Sequence, residues 1–214
     1  MIGQTNAVED INIKSSINYI EYIESTKTQY IDTGFINLSS KQRIVLSASI
    51  VNASAWTALM GNRITYNSNQ DVCLSYYPTQ NKMYLLFGNK EYSSGAIYSS
   101  SITLGSKLNF DITYDPNTKT MFGVFNGTNF SKSVTDTISL TYTKYLFAIN
   151  QQGNAVDKNG QIRIYNCQIY SDDVLVRDFR PALDENNVAC LYDEVSKTYF
   201  YNAGTGTFNA GAII

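Results

Sequence analysis

Four aromatic side chains in the first half of the chain have the clearest potential to bind a ligand: Trp56, Tyr76, Tyr77 and Tyr84. They lie close in sequence to a polar segment, residues 67–71 (NSNQD). Aromatic rings stack on the apolar C–H face of a sugar, and amide and carboxylate groups bind its hydroxyls. These four residues are our candidate ligand-binding face. The alternative is that they fill a core, where most aromatic residues of a β-sandwich lie.

Residues suited to acid–base catalysis are sparse. The 214-residue chain has no histidine, which excludes Ser-His-Asp and Cys-His triads and histidine-containing zinc sites. Glycoside hydrolysis needs only two carboxylates. The nearest acidic pair, Glu21 and Glu24, has an odd spacing that directs the two side chains to opposite faces of a strand. We therefore predict that the protein is not an enzyme.

The composition indicates one β-rich domain. The chain has 17 Tyr, 10 Phe and only three Pro, which is typical of strands and turns. Its length suits one sandwich domain and leaves no room for a second full domain. Charged residues make up 16% and the net charge is -2, so the charge pattern predicts neither nucleic acid nor a membrane as a partner.

The cysteines and the N-terminus bear on the compartment. Cys73, Cys167 and Cys190 cannot all pair within one chain, and each has an apolar, strand-like context. We predict that they are reduced, buried thiols and that the chain is synthesised in a reducing cytoplasm. The first residues lack the pattern of a signal peptide, and no apolar run has the roughly 18 residues of a membrane span.

Hydrophobic alternation divides the chain into an arm and a body. Residues 1–16 are polar and contain no aromatic residue, whereas short alternating segments separated by Asn, Gly and Ser recur throughout residues 17–214. This is the pattern of an all-β sandwich or barrel. We predict a domain over 17–214 and a short extended N-terminal arm over 1–16 that anchors the chain or supports its oligomerisation.

Individual strands and turns can be predicted by their residues. In 162–170 (IRIYNCQIY), alternation places Arg163, Tyr165, Cys167 and Ile169 on one face, which we predict to be the core face. Asp, Pro and Asn in 115–118 and the Asn-Gly pair at 126–127 predict two successive hairpin turns. The residues that we expect to face the core from the first of these hairpins are Phe110, Ile112 and Tyr114, with Phe122, Val124 or their neighbours.

Several segments together resemble the concanavalin A-like, or laminin G-like, jelly-roll domains found in tail, fibre and head-decoration proteins of phages and prophages of gut bacteria. The segments that carry the resemblance are 19–35 (YIEYIESTKTQYIDTGF), 56–63 (WTALMGNR), 162–170, 175–181 (LVRDFRP), 189–193 (ACLYD) and 203–211 (AGTGTFNAG). The resemblance implies an all-β, concanavalin A-like jelly-roll sandwich of two antiparallel sheets. Arg177, Asp178 and Arg180 then lie at a sheet edge, where we predict intrachain ion pairs.

The resemblance also implies a function. It implies a non-enzymatic virion structural protein, a fibre, spike or capsid decoration, that displays its jelly roll on the virion surface for attachment to host surface glycans. In this hypothesis the chain is synthesised in the cytoplasm of the bacterial host, the arm binds other virion proteins and the chain forms a homo-oligomer. The alternatives are a free-standing carbohydrate-binding module of a gut bacterium, and a purely structural decoration protein with no ligand.

Calcium is the metal that such domains can hold on their rim loops. Four aspartates are possible donors of oxygen ligands: Asp71, Asp111, Asp115 and Asp157. None lies in a recognisable calcium-binding loop, so we expect them in turns or at the surface. We predict neither a metal ion nor a cofactor.

Overall fold

The computed structural model describes residues 17–36, 40–66, 72–88, 97–98 (backbone only), 101–134, 138 and 140–214. In these ranges the regular secondary structure consists of β-strands, as predicted. The proposed arm, residues 1–16, and the polar segment 67–71 lie outside the described residues, so the prediction for the arm stays a prediction. No helix in the described ranges is both long and apolar enough to cross a membrane.

Eighteen strands, numbered in chain order, are present in the described ranges. They are β1 (Asn18–Tyr19), β2 (Ile23–Thr26), β3 (Ile31–Ile36), β4 (Gln42–Arg63), β5 (Val72–Tyr77), β6 (Lys82–Phe87), β7 (Ile97–Tyr98), β8 (Leu108–Asp115), β9 (Thr120–Phe125), β10 (Thr128–Ser133), β11 (Thr143–Leu146), β12 (Ile149–Gln151), β13 (Asn154–Val156), β14 (Lys158–Ser171), β15 (Val174–Leu183), β16 (Ala189–Asp193), β17 (Thr198–Phe200) and β18 (Asn209–Ala210).

The 22-residue strand β4 belongs to both sheets of a sandwich. Its first part pairs with β8 and β14, and this first sheet runs β10-β9-β8-β4-β14. Beyond β14 the first sheet divides. The C-terminal half of β14 pairs with β15, which is followed by β16 and β17. Its N-terminal half pairs with β2, which is followed by β18. The second part of β4 joins the second sheet, β7-β6-β5-β4-β11-β3, and β12 pairs with the end of β4 in parallel.

The main hydrophobic core lies between the two sheets, because alternate residues of each strand point inwards. On β8, Phe110, Ile112 and Tyr114 are at most 1% exposed, so the predicted inward face of this strand is confirmed. On β9 the sequence predicts that Phe122 and Val124, or their neighbours, face the core. The neighbours do so: Met121 is fully buried, whereas Phe122 is 39% exposed on the outer face.

The prediction for the core face of β14 is wrong for Arg163 and Tyr165. Ile162 and Ile164 are buried in their place, and Cys167 is buried further along the same strand. The cause is a β-bulge, seen as a register shift against β4 between residues 164 and 166. A bulge adds one residue to a strand and therefore reverses the alternation that follows it. Arg163 and Tyr165 are thus half-buried on the outer face of the sheet.

Other local predictions are confirmed. The turn at 116–119 joins β8 to β9, and Asn126 and Gly127, with φ of 47° and 80°, join β9 to β10. Arg177 lies 3.8 Å from Asp193, and Arg180 lies 3.7 Å from Glu194, so intrachain ion pairs of the two arginines are confirmed.

The predicted edge position of these residues is wrong. β15 pairs with β14 on one side and with β16 on the other, and Asp178 accepts a hydrogen bond from Gln168 at 3.1 Å.

The three cysteines are free and buried. Burial raises the pKa of Cys167 and Cys190 to about 12, which keeps both thiols protonated and unreactive at neutral pH.

Candidate functional site

Three of the four aromatic residues singled out from the sequence form one cluster on the outer face of the second sheet. The ring centroids of Trp56 and Tyr77 are 5.3 Å apart, those of Trp56 and Tyr84 4.9 Å, and those of Tyr77 and Tyr84 6.1 Å. Tyr84 is only 1% exposed, and its hydroxyl donates a hydrogen bond to Oε1 of Gln80 at 3.0 Å. The half-buried members, Trp56 and Tyr77, are therefore the ones that remain accessible.

The fourth residue, Tyr76, points the opposite way. It belongs to the core between the sheets and is 3% exposed, and its hydroxyl donates to Oδ1 of Asn81 at 3.0 Å. Neighbouring residues of a strand point to opposite faces, so Tyr76 and Tyr77 cannot share a binding surface. We leave Tyr76 out of the candidate site for this reason.

Two hollows lie next to each other on the outer face of the first sheet and share Lys107 and Asn166. One, of about 480 Å³, is also lined by Tyr22, Arg163 and Tyr165. The other, of about 410 Å³, extends from Lys107 and Asn166 across β4 and β8. We call the surface formed by Tyr22, Lys107, Arg163, Tyr165 and Asn166 the front cleft.

Each ring of the front cleft is in contact with a cation. The rings of Tyr22 and Tyr165 meet edge to face, with centroids 5.8 Å apart. The guanidinium carbon of Arg163 lies 4.4 Å from the Tyr22 centroid, and Nζ of Lys107 lies 4.0 Å from the Tyr165 centroid. These are cation–π distances, at which a ring holds a cation in place without neutralising it. The cleft thus combines flat apolar faces with the positive charges of Arg163 and Lys107, and the exposed carboxylate of Glu21 is also among the lining residues.

A buried carboxylate fixes the position of Arg163. Glu24 is 5% exposed, and its Oε2 accepts a hydrogen bond from Nε of Arg163 at 2.6 Å. Its Oε1 accepts from Gln161 at 2.7 Å and from Asn209 at 3.1 Å. Burial raises the pKa of Glu24, but the hydrogen bonds from these three side chains outweigh it, so the pKa is lowered overall. Glu24 is therefore an ionised anchor at neutral pH.

The remaining donors of Arg163 are available to a ligand. Its two terminal nitrogens donate no hydrogen bond to another residue in the described part of the chain. A guanidinium fork of this kind matches a carboxylate or a pair of vicinal hydroxyls. Lys107 is exposed and adds a second donor, and the exposed amide of Asn166 adds a group that can both donate and accept.

The aspartates considered as calcium donors have other partners. Asp111 forms a two-point ion pair with Arg43, with both distances 2.7 Å, and Asp157 lies 3.0 Å from Arg63. Asp115 accepts the backbone N–H of Asn117, as a turn residue does, and Asp71 lies outside the described residues. Over the ranges that the structure describes, no three His, Cys, Asp or Glu side chains are grouped closely enough to hold a metal ion.

The front cleft could not be predicted from the sequence for two reasons. Alternation of residues predicts that Arg163 and Tyr165 lie in the core, because it does not reveal the bulge in β14. Tyr22 and Lys107 are distant in sequence from β14 and reach it only through sheet pairing and packing. The available signal was the Arg163 and Tyr165 pair itself, two amphipathic side chains alternating with buried isoleucines.

Comparisons with known proteins show the fold. No family model matches the chain, and neither does any curated protein. The carbohydrate-binding module CBM40 of the Ruminococcus gnavus IT-sialidase, bound to α2,3 sialyllactose, superposes with a TM-score of 0.52 at 17% identity, over 72% of this chain and 91% of that one. A putative carbohydrate-binding protein from Bacteroides ovatus gives a TM-score of 0.59 at 9% identity, over 92% of this chain and 61% of that one.

These likenesses agree with the sheet order described above. The chain adopts the all-β, concanavalin A-like jelly-roll fold of such carbohydrate-binding modules, as the sequence resemblance implies.

Proposed function

We propose that this protein is a non-catalytic carbohydrate-binding module that binds glycans in the front cleft. The observation that carries the proposal is the grouping of Tyr22 and Tyr165 with the unpaired donors of Arg163 and Lys107 on an open sheet face. Rings of this kind stack on the C–H face of a sugar, and the donors bind its oxygens. The fold shared with carbohydrate-binding modules supports the same conclusion.

The two cations suggest a glycan that carries a carboxylate. Arg163 can bind such a group with both terminal nitrogens while Glu24 holds its Nε. Lys107, with its Nζ 4.0 Å from the Tyr165 centroid, adds a second positive charge. The Ruminococcus gnavus module is bound to α2,3 sialyllactose, a glycan that ends in an acidic sugar. Sialylated oligosaccharides are therefore the first ligands to test.

The carboxylates near the cleft support binding without hydrolysis. A glycosidase needs a carboxyl group whose pKa is raised so that it can protonate the leaving oxygen. Glu24 has the opposite property, because three hydrogen-bond donors lower its pKa and occupy both of its oxygens. Glu21, whose carboxylate lines the larger hollow, is exposed to solvent.

The structural neighbours favour the alternative hypothesis, a carbohydrate-binding module, over the virion protein that the sequence resemblance implies. A place on a virion surface, partner proteins bound through residues 1–16 and a homo-oligomeric state stay predictions.

A glycan array tests the proposal and distinguishes the two aromatic surfaces. The protein is biotinylated, assembled on streptavidin and probed together with its Tyr165→Ala and Trp56→Ala variants. We expect the wild-type protein and Trp56→Ala to bind sialylated glycans and Tyr165→Ala to lose this binding. Loss of binding in Trp56→Ala alone would place the site on the second sheet, and release of free sugar from any bound glycan would contradict the non-catalytic proposal.

A further inference from the structure

Four tyrosines form a continuous row on the outer face of the first sheet, where β1, β15, β16 and β17 meet. Their centroids are 6.4 Å apart between Tyr19 and Tyr192, 5.1 Å between Tyr192 and Tyr199, and 6.2 Å between Tyr199 and Tyr201. We call these four residues the tyrosine row. Cross-strand pairing explains the arrangement, because Tyr192 is directly opposite Tyr199. The row shares no residue with the front cleft.

A hollow of about 260 Å³ lies at the Tyr201 end of the row. The rings of Tyr199 and Tyr201 form one wall, and Asn18, Glu185 and Asn186 are among the residues that line the rest. The volume is just below the roughly 300–1,000 Å³ of pockets that bind drug-sized molecules. It therefore suits one or two sugar rings. The rings of Tyr199 and Tyr201 provide the apolar surface, because Tyr192 is only 9% exposed and the guanidinium of Arg180 lies 3.9 Å from the Tyr19 centroid.

The loop that forms the floor of this hollow is already ordered by hydrogen bonds. Oδ1 of Asp184 accepts the backbone N–H groups of Asn186 at 2.9 Å and Val188 at 2.8 Å, and its Oδ2 accepts the hydroxyl of Tyr201 at 3.1 Å. The bond from Val188, together with those from Asn186 and Tyr201, lowers the pKa of Asp184 and keeps it ionised. A ligand would thus meet a preformed loop and a fixed Tyr201 ring, which reduces the entropy lost on binding.

Polar groups in the hollow remain without partners. The side chains of Asn18, Glu185 and Asn186 and the hydroxyl of Tyr199 form no hydrogen bond with any other described residue. They supply two amides, one carboxylate and one phenol, which together can donate to and accept from the hydroxyls of a sugar. An apolar wall with a few convergent polar groups is the usual composition of a small-molecule site.

The charge of the hollow selects the class of ligand. Asp184 and Glu185 are among its lining residues, and neither lysine nor arginine is. Two cations lie near the other part of the row, and both are paired with Glu194: Arg180, 3.9 Å from the Tyr19 centroid, and Lys197. Carboxylated and sulfated glycans would therefore be repelled, in contrast to the front cleft.

We infer that the tyrosine row and its hollow form a second glycan-binding site, specific for uncharged hexopyranose chains. The terminal sugar of the chain lies in the hollow, with its hydroxyls on Asn18, Glu185 and Asn186 and its apolar face on the rings of Tyr199 and Tyr201. One domain then binds an acidic sugar and a neutral chain through different surfaces.

Titration of the full chain with neutral and acidic probes tests this inference. Saturation-transfer NMR and affinity electrophoresis are carried out with linear gluco-, manno- and galacto-oligosaccharides and with 3′-sialyllactose. We expect Tyr201→Ala to weaken binding of at least one neutral oligosaccharide by about tenfold, the effect of losing one stacking ring. Tyr201→Phe keeps the stacking ring but loses the hydrogen bond to Asp184, so it should bind more tightly than Tyr201→Ala and no more tightly than the wild type. Tyr201 is 47% exposed, so neither change should prevent folding.

The matched control is Tyr165→Ala in the front cleft, which should leave neutral binding unchanged. The inference is overturned if no neutral oligosaccharide binds, or if Tyr201→Ala binds the neutral probe as well as the wild type does. Failure here is distinct from failure of the proposed function, because 3′-sialyllactose binding depends on Tyr165 and not on Tyr201.

Discussion

Glu24 accepts the Nε–H of Arg163 at 2.6 Å and leaves the terminal nitrogens of the same guanidinium facing the front cleft. The two residues are cross-strand neighbours, since Arg163 on β14 is directly opposite Glu24 on β2. Pairing between the two strands therefore positions both the binding group and its anchor. The arrangement links the stability of the sheet to the geometry of the proposed site.

Replacing this anchor should affect both stability and binding. Glu24→Gln removes the charge that receives three hydrogen bonds, and we expect the free energy of unfolding to fall by about 1–3 kcal/mol, as for hydrogen bonds to a charged group. Binding of sialylated glycans should weaken as well, because Arg163 is no longer held by a carboxylate. Urea denaturation and titration with 3′-sialyllactose measure the two effects. Glu21→Gln is the matched control, since Glu21 is exposed, and should change stability by less than about 0.5 kcal/mol.

A pair of phenylalanines tests the orientation of the central hairpin. Phe110 is 1% exposed and stacks on Phe125 at a centroid distance of 4.8 Å, so Phe110→Ala should cost about 3–5 kcal/mol of unfolding free energy. Phe122, on the neighbouring strand, is 39% exposed on the other face. Phe122→Ala should cost less than about 1 kcal/mol in the same denaturation experiment. Equal losses in the two variants would show that the faces are assigned wrongly.

The fold could be predicted from the sequence because its signals are local. Alternation along β8 and the turn residues at 115–118 and 126–127 act within a few residues of one another, and the structure confirms them. The core face of β14 depends instead on the bulge between residues 164 and 166, which no periodicity reveals. One extra residue was enough to assign Tyr165 to the wrong side of the sheet.

The candidate sites were harder to predict, because they depend on contacts between distant parts of the chain. Tyr22 reaches Tyr165 only because β2 pairs with β14. In the sequence, Tyr76 and Tyr77 were equally good candidates for a ligand-binding surface, and alternation requires that one of them point inwards. Only the position of β5 within the sandwich decides that Tyr76 is the inward one.

A buried lysine should make stability depend on pH in the alkaline range. Lys144 is fully buried, its Nζ donates to Oε1 of Gln42 at 2.9 Å, and burial lowers its pKa well below the usual 10.5. The unfolded chain then binds more protons than the folded one between the lowered pKa and 10.5, so stability should rise with pH across this window.

Urea denaturation between pH 7 and pH 10 measures this dependence against the Lys144→Met variant, which has no amine. As the pH rises, the wild-type protein should gain unfolding free energy relative to the variant. A constant difference would show that the lysine titrates normally in the folded state.

The affinity of a single domain should be low, with firm attachment coming from several copies. The front cleft is shallow and polar, so a glycan that enters it exchanges hydrogen bonds with water for similar bonds with Arg163, Lys107 and Asn166. We expect a Kd of about 0.1–1 mM for the monomer. A streptavidin-linked tetramer should bind a sialylated surface about 100-fold or more tightly, because later contacts are intramolecular. Surface plasmon resonance with monomer and tetramer on one chip measures both, and a monomer that binds as tightly as the tetramer would contradict the shallow-site account.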